Sequence, residues 1–333
     1  MNTELICPAG NLPALKAAID NGADAVYAGF RDNTNARNFP GLNFSPNELH
    51  QGLDYVRRHG RKLFLAVNTF PSPEAWSTAV RAVDQAAGMA VDALILADIG
   101  LLHYASEHHP ALRLHLSVQG SATNRHAIQF YHRHFNIRRV VLPRVLSLAQ
   151  VRQLIKGVPT EVEVFGYGSL CVMVEGRCAL SSYVTGDSPN SKGVCSPARA
   201  VRWHESAQQK ESYLNDVLIN RYHGSETAGY PTLCKGRFQV NGHVYHAIEE
   251  PVSLNLLDVL PQLVKSGVAA IKVEGRQRSR AYVAQVTRTL RAALDLCLDN
   301  PDSYLPRQAW TAQLQQLSEG SCTTLGAYHR PWQ

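Results

Sequence analysis

Short runs of β-favouring apolar residues alternate with longer amphipathic stretches through the first 168 residues. The runs lie near Leu5-Ile6, Asp24–Tyr27, Leu63–Asn68, Ala93–Ala97, Leu114–Val118, Arg139–Leu142 and Val162–Phe165. Between them, apolar residues recur at helical spacing over Leu12–Asn21, Pro46–His59, Glu74–Gly88, Gly100–His108, Asn124–Phe135 and Leu148–Lys156. Continuous apolar strands alternating with helices predict parallel strands covered on both faces.

A weak internal repeat extends this pattern. Asn21-Gly22-Ala23-Asp24-Ala25-Val26-Tyr27 resembles Ala90-Val91-Asp92-Ala93-Leu94-Ile95-Leu96 and, much later, Ser266-Gly267-Val268-Ala269-Ala270-Ile271-Lys272-Val273. Each reads as a helix ending in a tight turn that feeds a buried strand, with Gly where a left-handed residue is needed. The third copy sits between helical patterns at Leu254–Lys265 and Ala281–Leu298 and supplies an eighth strand. Eight such units predict a (β/α)8 barrel of the TIM type, whose closure leaves no strand edge open.

The pattern breaks between the seventh strand and the eighth. Residues 1–168 read as barrel units one to seven, 169–250 as a Cys-rich insertion, and 251–333 as the last unit and a tail. The insertion is rich in Ser, Gly, Pro, Tyr and Arg and has no helical period of useful length. Within it, Arg237–His246 reads as a β-hairpin, because Asn241-Gly242 supplies both positive-φ residues of a type I′ turn. So little apolar periodicity would not hold some 80 residues together, and another bond is expected to do so.

That bond is suggested by cysteine. Cys171, Cys178, Cys195 and Cys234 follow a C-x6-C-x16-C-x38-C spacing, each among turn formers rather than in an apolar run. Four thiolates fill the coordination of a tetrahedral zinc or of a cubane iron–sulfur cluster, and either would crosslink the insertion. Wide, unequal gaps without a C-x2-C pair favour iron–sulfur. The other three cysteines read as packing (Cys297), as incidental (Cys322) and as core filling at the end of the first strand (Cys7).

Composition narrows the setting. The 333 residues carry a net charge of +6, with 45% apolar and 18% charged residues, enough for a substantial core. No run approaches the roughly 20 apolar residues of a membrane helix. Residues 1–8 have no basic region and no long apolar run, so a soluble, cytoplasmic protein is expected. An odd cysteine count in an unexported chain points to metal or redox chemistry.

Barrel enzymes place their sites at the carboxyl rim. Here the strand ends offer Tyr27 with Arg31, Asn68 with Thr69, Asp98, Gln119 with Ser121, Arg144, and Glu274 with Arg276. Arg144 and Arg276 are candidates for gripping a carboxylate in bidentate fashion; Glu274 either joins them or neutralises a neighbouring arginine. Other signatures are absent: no HExxH, no GxSxG, no phosphate-binding loop, and a Gly166-Tyr167-Gly168 that lacks the third glycine of a dinucleotide fingerprint. Arg199–Arg202 and Arg276–Arg280 could meet phosphates, but no basic-aromatic module frames them, and nucleic acid is not expected as a partner.

Several stretches resemble the collagenase-like peptidase family. They are Cys7-Pro8-Ala9-Gly10-Asn11, Gly166-Tyr167-Gly168-Ser169-Leu170-Cys171 with Glu175-Gly176-Arg177-Cys178, and Lys272-Val273-Glu274-Gly275-Arg276. The likeness is strongest to members that serve oxygen-independent ubiquinone biosynthesis, through Asn33–Arg37, Val140–Leu146, Cys195–Arg199 and Ala228–Arg237. The resemblance implies a [4Fe–4S] cluster on Cys171, Cys178, Cys195 and Cys234 and a heterodimer with a UbiV-like paralogue. It also implies hydroxylation of the ubiquinone precursor ring without O2. Relatives that hydroxylate RNA bases imply prephenate as oxygen donor, an anionic dicarboxylate suited to Arg144 and Arg276. The alternatives are an RNA-base hydroxylase, a non-catalytic assembly partner, and a peptidase, for which the sequence offers no protease constellation.

Overall fold

The computed structural model describes residues 3–171 and 178–329. Eight parallel strands close into a barrel: β1 (Glu4–Pro8), β2 (Ala25–Gly29), β3 (Lys62–Val67), β4 (Ala93–Leu96), β5 (Leu114–Leu116), β6 (Arg139–Val141), β7 (Glu161–Ser169) and, after the insertion, β14 (Ala270–Val273). Each pairs with the next, and β14 pairs with both β7 and β1. The expected (β/α)8 barrel is present.

Strand alternation explains the closure. Leu5, Val26, Leu63, Leu94, Leu116, Val140, Val162 and Ile271 join the main core formed with the surrounding helices. Their neighbours Ile6, Ala25, Phe64, Ala93 and Ala270 form a separate, smaller cluster. Side chains on a strand point alternately to the two faces, so the second set fills the barrel interior.

The internal repeat has a local cause. Its turn residues Gly22, Ala90 and Gly267 all have positive φ. Asp24 and Asp92, at the starts of their strands, each accept the backbone N–H of the preceding strand, Leu5 at 2.8 Å and Leu63 at 2.7 Å. The carboxylates thereby lock strand to strand at the bottom of the barrel.

Two expectations need correction. Leu254–Lys265 is not one helix: β13 (Ser253–Asn255) pairs antiparallel with the end of β7, and the α-helix runs only over Leu260–Ser266. Pro261 sits at the start of that helix, where its missing N–H costs nothing. The tail strand β15 (Thr323–Thr324) then pairs with β13.

The insertion also holds more regular structure than its sequence predicts. A three-stranded antiparallel sheet comprises β8 (Val201–Glu205), β9 (Gln209–Leu214) and β10 (Val217–His223). The expected hairpin forms as β11 (Phe238–Val240) and β12 (His243–Tyr245), with Asn241 and Gly242 both at positive φ. Its only separate core among the described residues is Ala200, Leu214 and Ile219. So small a core leaves the insertion dependent on its attachment to the barrel.

Candidate active site at the barrel mouth

The insertion is fastened across the carboxyl rim by backbone bonds. Arg37 N–H donates to Gly193 O at 2.7 Å and Phe70 N–H to Asn190 O at 3.0 Å. Within the insertion Tyr230 OH donates to Ser196 O at 3.0 Å, and the Tyr230 ring reaches the loop after β2, meeting Phe39 edge-on at 5.9 Å. A partly open cavity lies between insertion and barrel.

Cys171, Cys178, Cys195 and Cys234 all line that cavity. Cys171 follows the end of β7, while Cys178 caps the helix Ala179–Thr185 and its Sγ accepts the Ser181 N–H at 3.3 Å. Cys195 follows the left-handed Gly193, and Cys234 sits in the turn Leu233–Lys235. Glu175, Gly176 and Arg177, part of the family-like stretch before Cys178, lie outside the described residues.

The four sulfurs feel one another. Burial pushes the Cys234 thiol up to about 12; Lys235 opposes the rise, and Cys171, Cys195 and Cys178 add to it. Burial also raises Cys178, against the backbone N–H of Ser181, with Cys195 adding to the rise. Thiols raised by burial and by one another ionise together only if a positive group compensates them, as a bound metal does. No three His, Cys, Asp or Glu side chains among the described residues stand close enough to share one metal ion. A set of four thiols facing a common cavity fits a larger group, in which each thiolate binds a different iron.

The remaining lining splits by chemistry. Ile95, Val141 and Phe165 form an apolar wall, and Arg37, Arg144, Lys235, Lys272 and Arg276 outnumber Glu274 and Glu319. The Arg144 guanidinium lies 4.4 Å from the Phe165 ring centroid and donates to Ser169 O. Glu274 faces Arg37 at 3.7 Å, so neutralising a neighbouring arginine is part of its role.

Arg276 behaves differently from a surface grip. It is 5% exposed, donates through Nη1 to Asn35 Oδ1 at 3.0 Å, and donates through Nη2 to Ala36 O. Both terminal nitrogens hold the loop after β2, which makes Arg276 a positioning residue for the mouth.

The profile of peptidase family U32 matches residues 10–331. The chain belongs to peptidase family U32. An uncharacterized protease of Methanocaldococcus jannaschii is 32% identical over 333 residues, covering 98% of this chain and 73% of that one. The tRNA hydroxylation protein P of Escherichia coli is 32% identical over 314 residues, covering 88% and 68%. The tRNA hydroxylation protein P1 of Bacillus subtilis is 28% identical over 321 residues, covering 96% and 70%.

Two further residues lining this cavity escape the sequence reading. Lys272 lines the cavity from inside the barrel, 5% exposed. A charge in Ala270-Ile271-Lys272-Val273 at the inward parity was its available signal. Glu319, from the tail, pairs with Lys235, accepts from Ser169 Oγ at 2.5 Å and approaches Arg278 at 3.4 Å. It lies in a polar stretch where nothing distinguishes it. Among the described residues no helix is long and apolar enough to cross a membrane.

Proposed function

We propose that this chain is the iron–sulfur subunit of an oxygen-independent hydroxylase acting on the ring of a ubiquinone precursor. It works in the cytoplasm as a heterodimer with a UbiV-like paralogue and takes oxygen from an anionic donor such as prephenate. The relatives named for tRNA hydroxylation support hydroxylation as the shared chemistry. The observation that carries the reading is the meeting of four cysteines, an apolar wall and an excess of cations around one cavity.

Cys171, Cys178, Cys195 and Cys234 would hold a [4Fe–4S] cluster, which supplies one-electron exchange with every iron already ligated. The residues of the chain supply the rest. Ile95, Val141 and Phe165 receive the ring, and Arg144 on the Phe165 face brings a cation beside it. Arg276 fixes the loop that covers the mouth, and Glu319 with Lys235 ties the tail to the turn carrying Cys234. The insertion covers part of the mouth, and a bound ring that displaces water there would strengthen each of these charges.

Air-protected purification tests the reading. We expect coloured protein with about four iron and four acid-labile sulfide per chain, both lost in Cys171→Ala. Iron-free protein that still hydroxylates would overturn it.

A second reading, hydroxylation of an RNA base, is favoured by the names of the same relatives. Exposed Arg199, Arg202 and Arg221 on the insertion would meet phosphates. That reading requires tRNA retention that weakens steeply with added salt, and no retention at low salt removes it.

A further inference from the structure

Barrel interiors of this type are normally packed with branched aliphatic side chains. Here Ile6, Phe64 and Ile95 share the interior with a chain of ion pairs that runs inward from the partly exposed lower edge. Glu4 meets Lys62 at 2.5 Å and Arg139 at 2.6 Å. Arg139 also meets Glu161 at 2.6 Å and Glu163 at 3.2 Å; Glu161 meets Arg113 at 2.6 Å. Glu163 completes the chain by accepting from Lys272 Nζ at 2.6 Å.

Lys62, Arg113 and Glu161 are partly exposed to solvent at the lower edge, so the buried part of the network sets Arg139 and Lys272 against Glu4 and Glu163. His115 does not add to the balance, because burial, then Arg139 and the other cations around it, keep its imidazole neutral. Only one member of this network, Lys272, lines the mouth cavity. Buried ion pairs in place of hydrophobic packing stabilise a fold little, so this one calls for a functional reason.

Lys272 is also held for contact. Its Nζ lies 4.2 Å from the centroid of the Tyr27 ring, whose OH is tied to Val273 O at 2.9 Å. An ammonium has three N–H donors, and Glu163 accepts one. In the same cavity, Gln119 is 5% exposed and its Oε1 has no hydrogen-bond partner among the described residues. An amide oxygen only accepts, so it would take a hydrogen from a hydroxyl of a bound molecule and not from its carboxylate.

We propose that Lys272 is the anion-binding residue at the floor of the cavity, where it receives the carboxylate of a small ring-bearing molecule seated against Val141 and Phe165. The proposal rests on the mouth being the reaction site, but it needs neither turnover nor iron to be tested.

The test is calorimetric titration of the purified full chain with benzoate and with benzamide, its uncharged analogue. We expect benzoate to bind about tenfold tighter than benzamide. Glu163→Gln/Lys272→Met removes both charges of the pair, strands neither, and should weaken benzoate about tenfold while leaving benzamide unchanged. Glu163→Gln alone takes away the competing carboxylate but also the charge that favours the Lys272 ammonium against burial, so this titration is read at pH 6, where benzoate should tighten about threefold. A gain of this kind cannot come from misfolding, so it decides the matter even if the double variant fails to fold. Equal binding of the two probes, or benzoate affinity unmoved by Glu163→Gln, overturns the proposal. A failed hydroxylation assay leaves this result standing, and a failed titration leaves the hydroxylase reading standing.

Discussion

Arg276 and Asn35 lie 241 residues apart in sequence and meet at 3.0 Å inside the barrel mouth. Asn35 is clamped from its other side too, since its Nδ2 donates to Phe30 O at 2.5 Å. The eighth strand's end thereby holds the second unit's loop. Arg276→Ala would strand the Ala36 carbonyl and the Asn35 amide oxygen in a buried place, at a cost of about 1–3 kcal/mol. We expect faster hydrogen–deuterium exchange over residues 33–44 with the barrel strands unchanged, and an intermediate effect for Arg276→Lys. Unaltered exchange in that loop would remove Arg276 from its positioning role.

Gly193 carries the next contact between insertion and barrel. Its φ is +80°, and a Cβ there would collide with the backbone carbonyl of Asn35. Gly224 has φ +55° with nothing within 4 Å of its would-be Cβ. Each glycine-to-alanine change costs about 1–2 kcal/mol for the left-handed backbone alone, but only Gly193→Ala must also push the Cys195 segment off the mouth. Thermal melts should therefore show a larger fall in Tm for Gly193→Ala than for Gly224→Ala. Equal falls would mean that the contact with the loop after β2 is not tight.

The barrel was legible because its eight strands and their helices repeat one physical requirement: an outward apolar face against an amphipathic helix. Leu63, Leu94 and Ile271 satisfy it openly. Asn241-Gly242 was legible because few dipeptides supply two positive φ values. Strand β8 was not, since Arg202, Trp203, His204 and Glu205 are all exposed and show no apolar alternation. Leu254 and Leu256 are buried whether helix or strand, so a short apolar run there carries no period. The cysteine quartet was visible from its turn-rich surroundings, but the charged interior was not. Glu163 and Lys272 occupy inward positions whose parity becomes meaningful only once the barrel closes.

Arg139 should dominate acid stability. Its side chain is 4% exposed and meets Glu4, Glu161 and Glu163. Burial raises the Glu4 and Glu161 carboxyls, but Lys62 and Arg139 on the first, and Arg139 and Arg113 on the second, outweigh it and hold both below 4.5. A carboxyl depressed in the folded state contributes stability above its unfolded value, and that contribution is lost as pH falls through the folded one. Urea unfolding should show a flat stability above about pH 5.5 and a decline that begins as pH drops below about 4.5. Arg139→Met should cost about 3 kcal/mol at neutral pH and lose part of that acid slope, because it leaves buried carboxylates uncompensated. An identical acid slope in the variant would place the titrating groups elsewhere.

Cysteine reactivity separates the packing thiols from the site thiols. Cys7 is fully buried, accepts from Thr287 Oγ1 at 3.2 Å, and burial pushes its thiol up to about 12. Cys297 is equally inaccessible and is raised by burial to about 11. Alkylation requires thiolate and access, and at pH 8 a thiol near 12 is ionised in only about one molecule in ten thousand. Cys322 is exposed and should react with iodoacetamide first in native protein, with Cys7 and Cys297 labelled only in denaturant. Cys171, Cys178, Cys195 and Cys234 should follow a third pattern if they hold a cluster: slow labelling in air-protected protein and fast labelling after chelation, with Cys322 unchanged by the treatment. Peptide mapping by mass spectrometry distinguishes the three groups. Labelling of Cys7 in native protein as fast as Cys322 would contradict its burial. Labelling of the quartet that ignores chelation would mean that no metal shields those sulfurs.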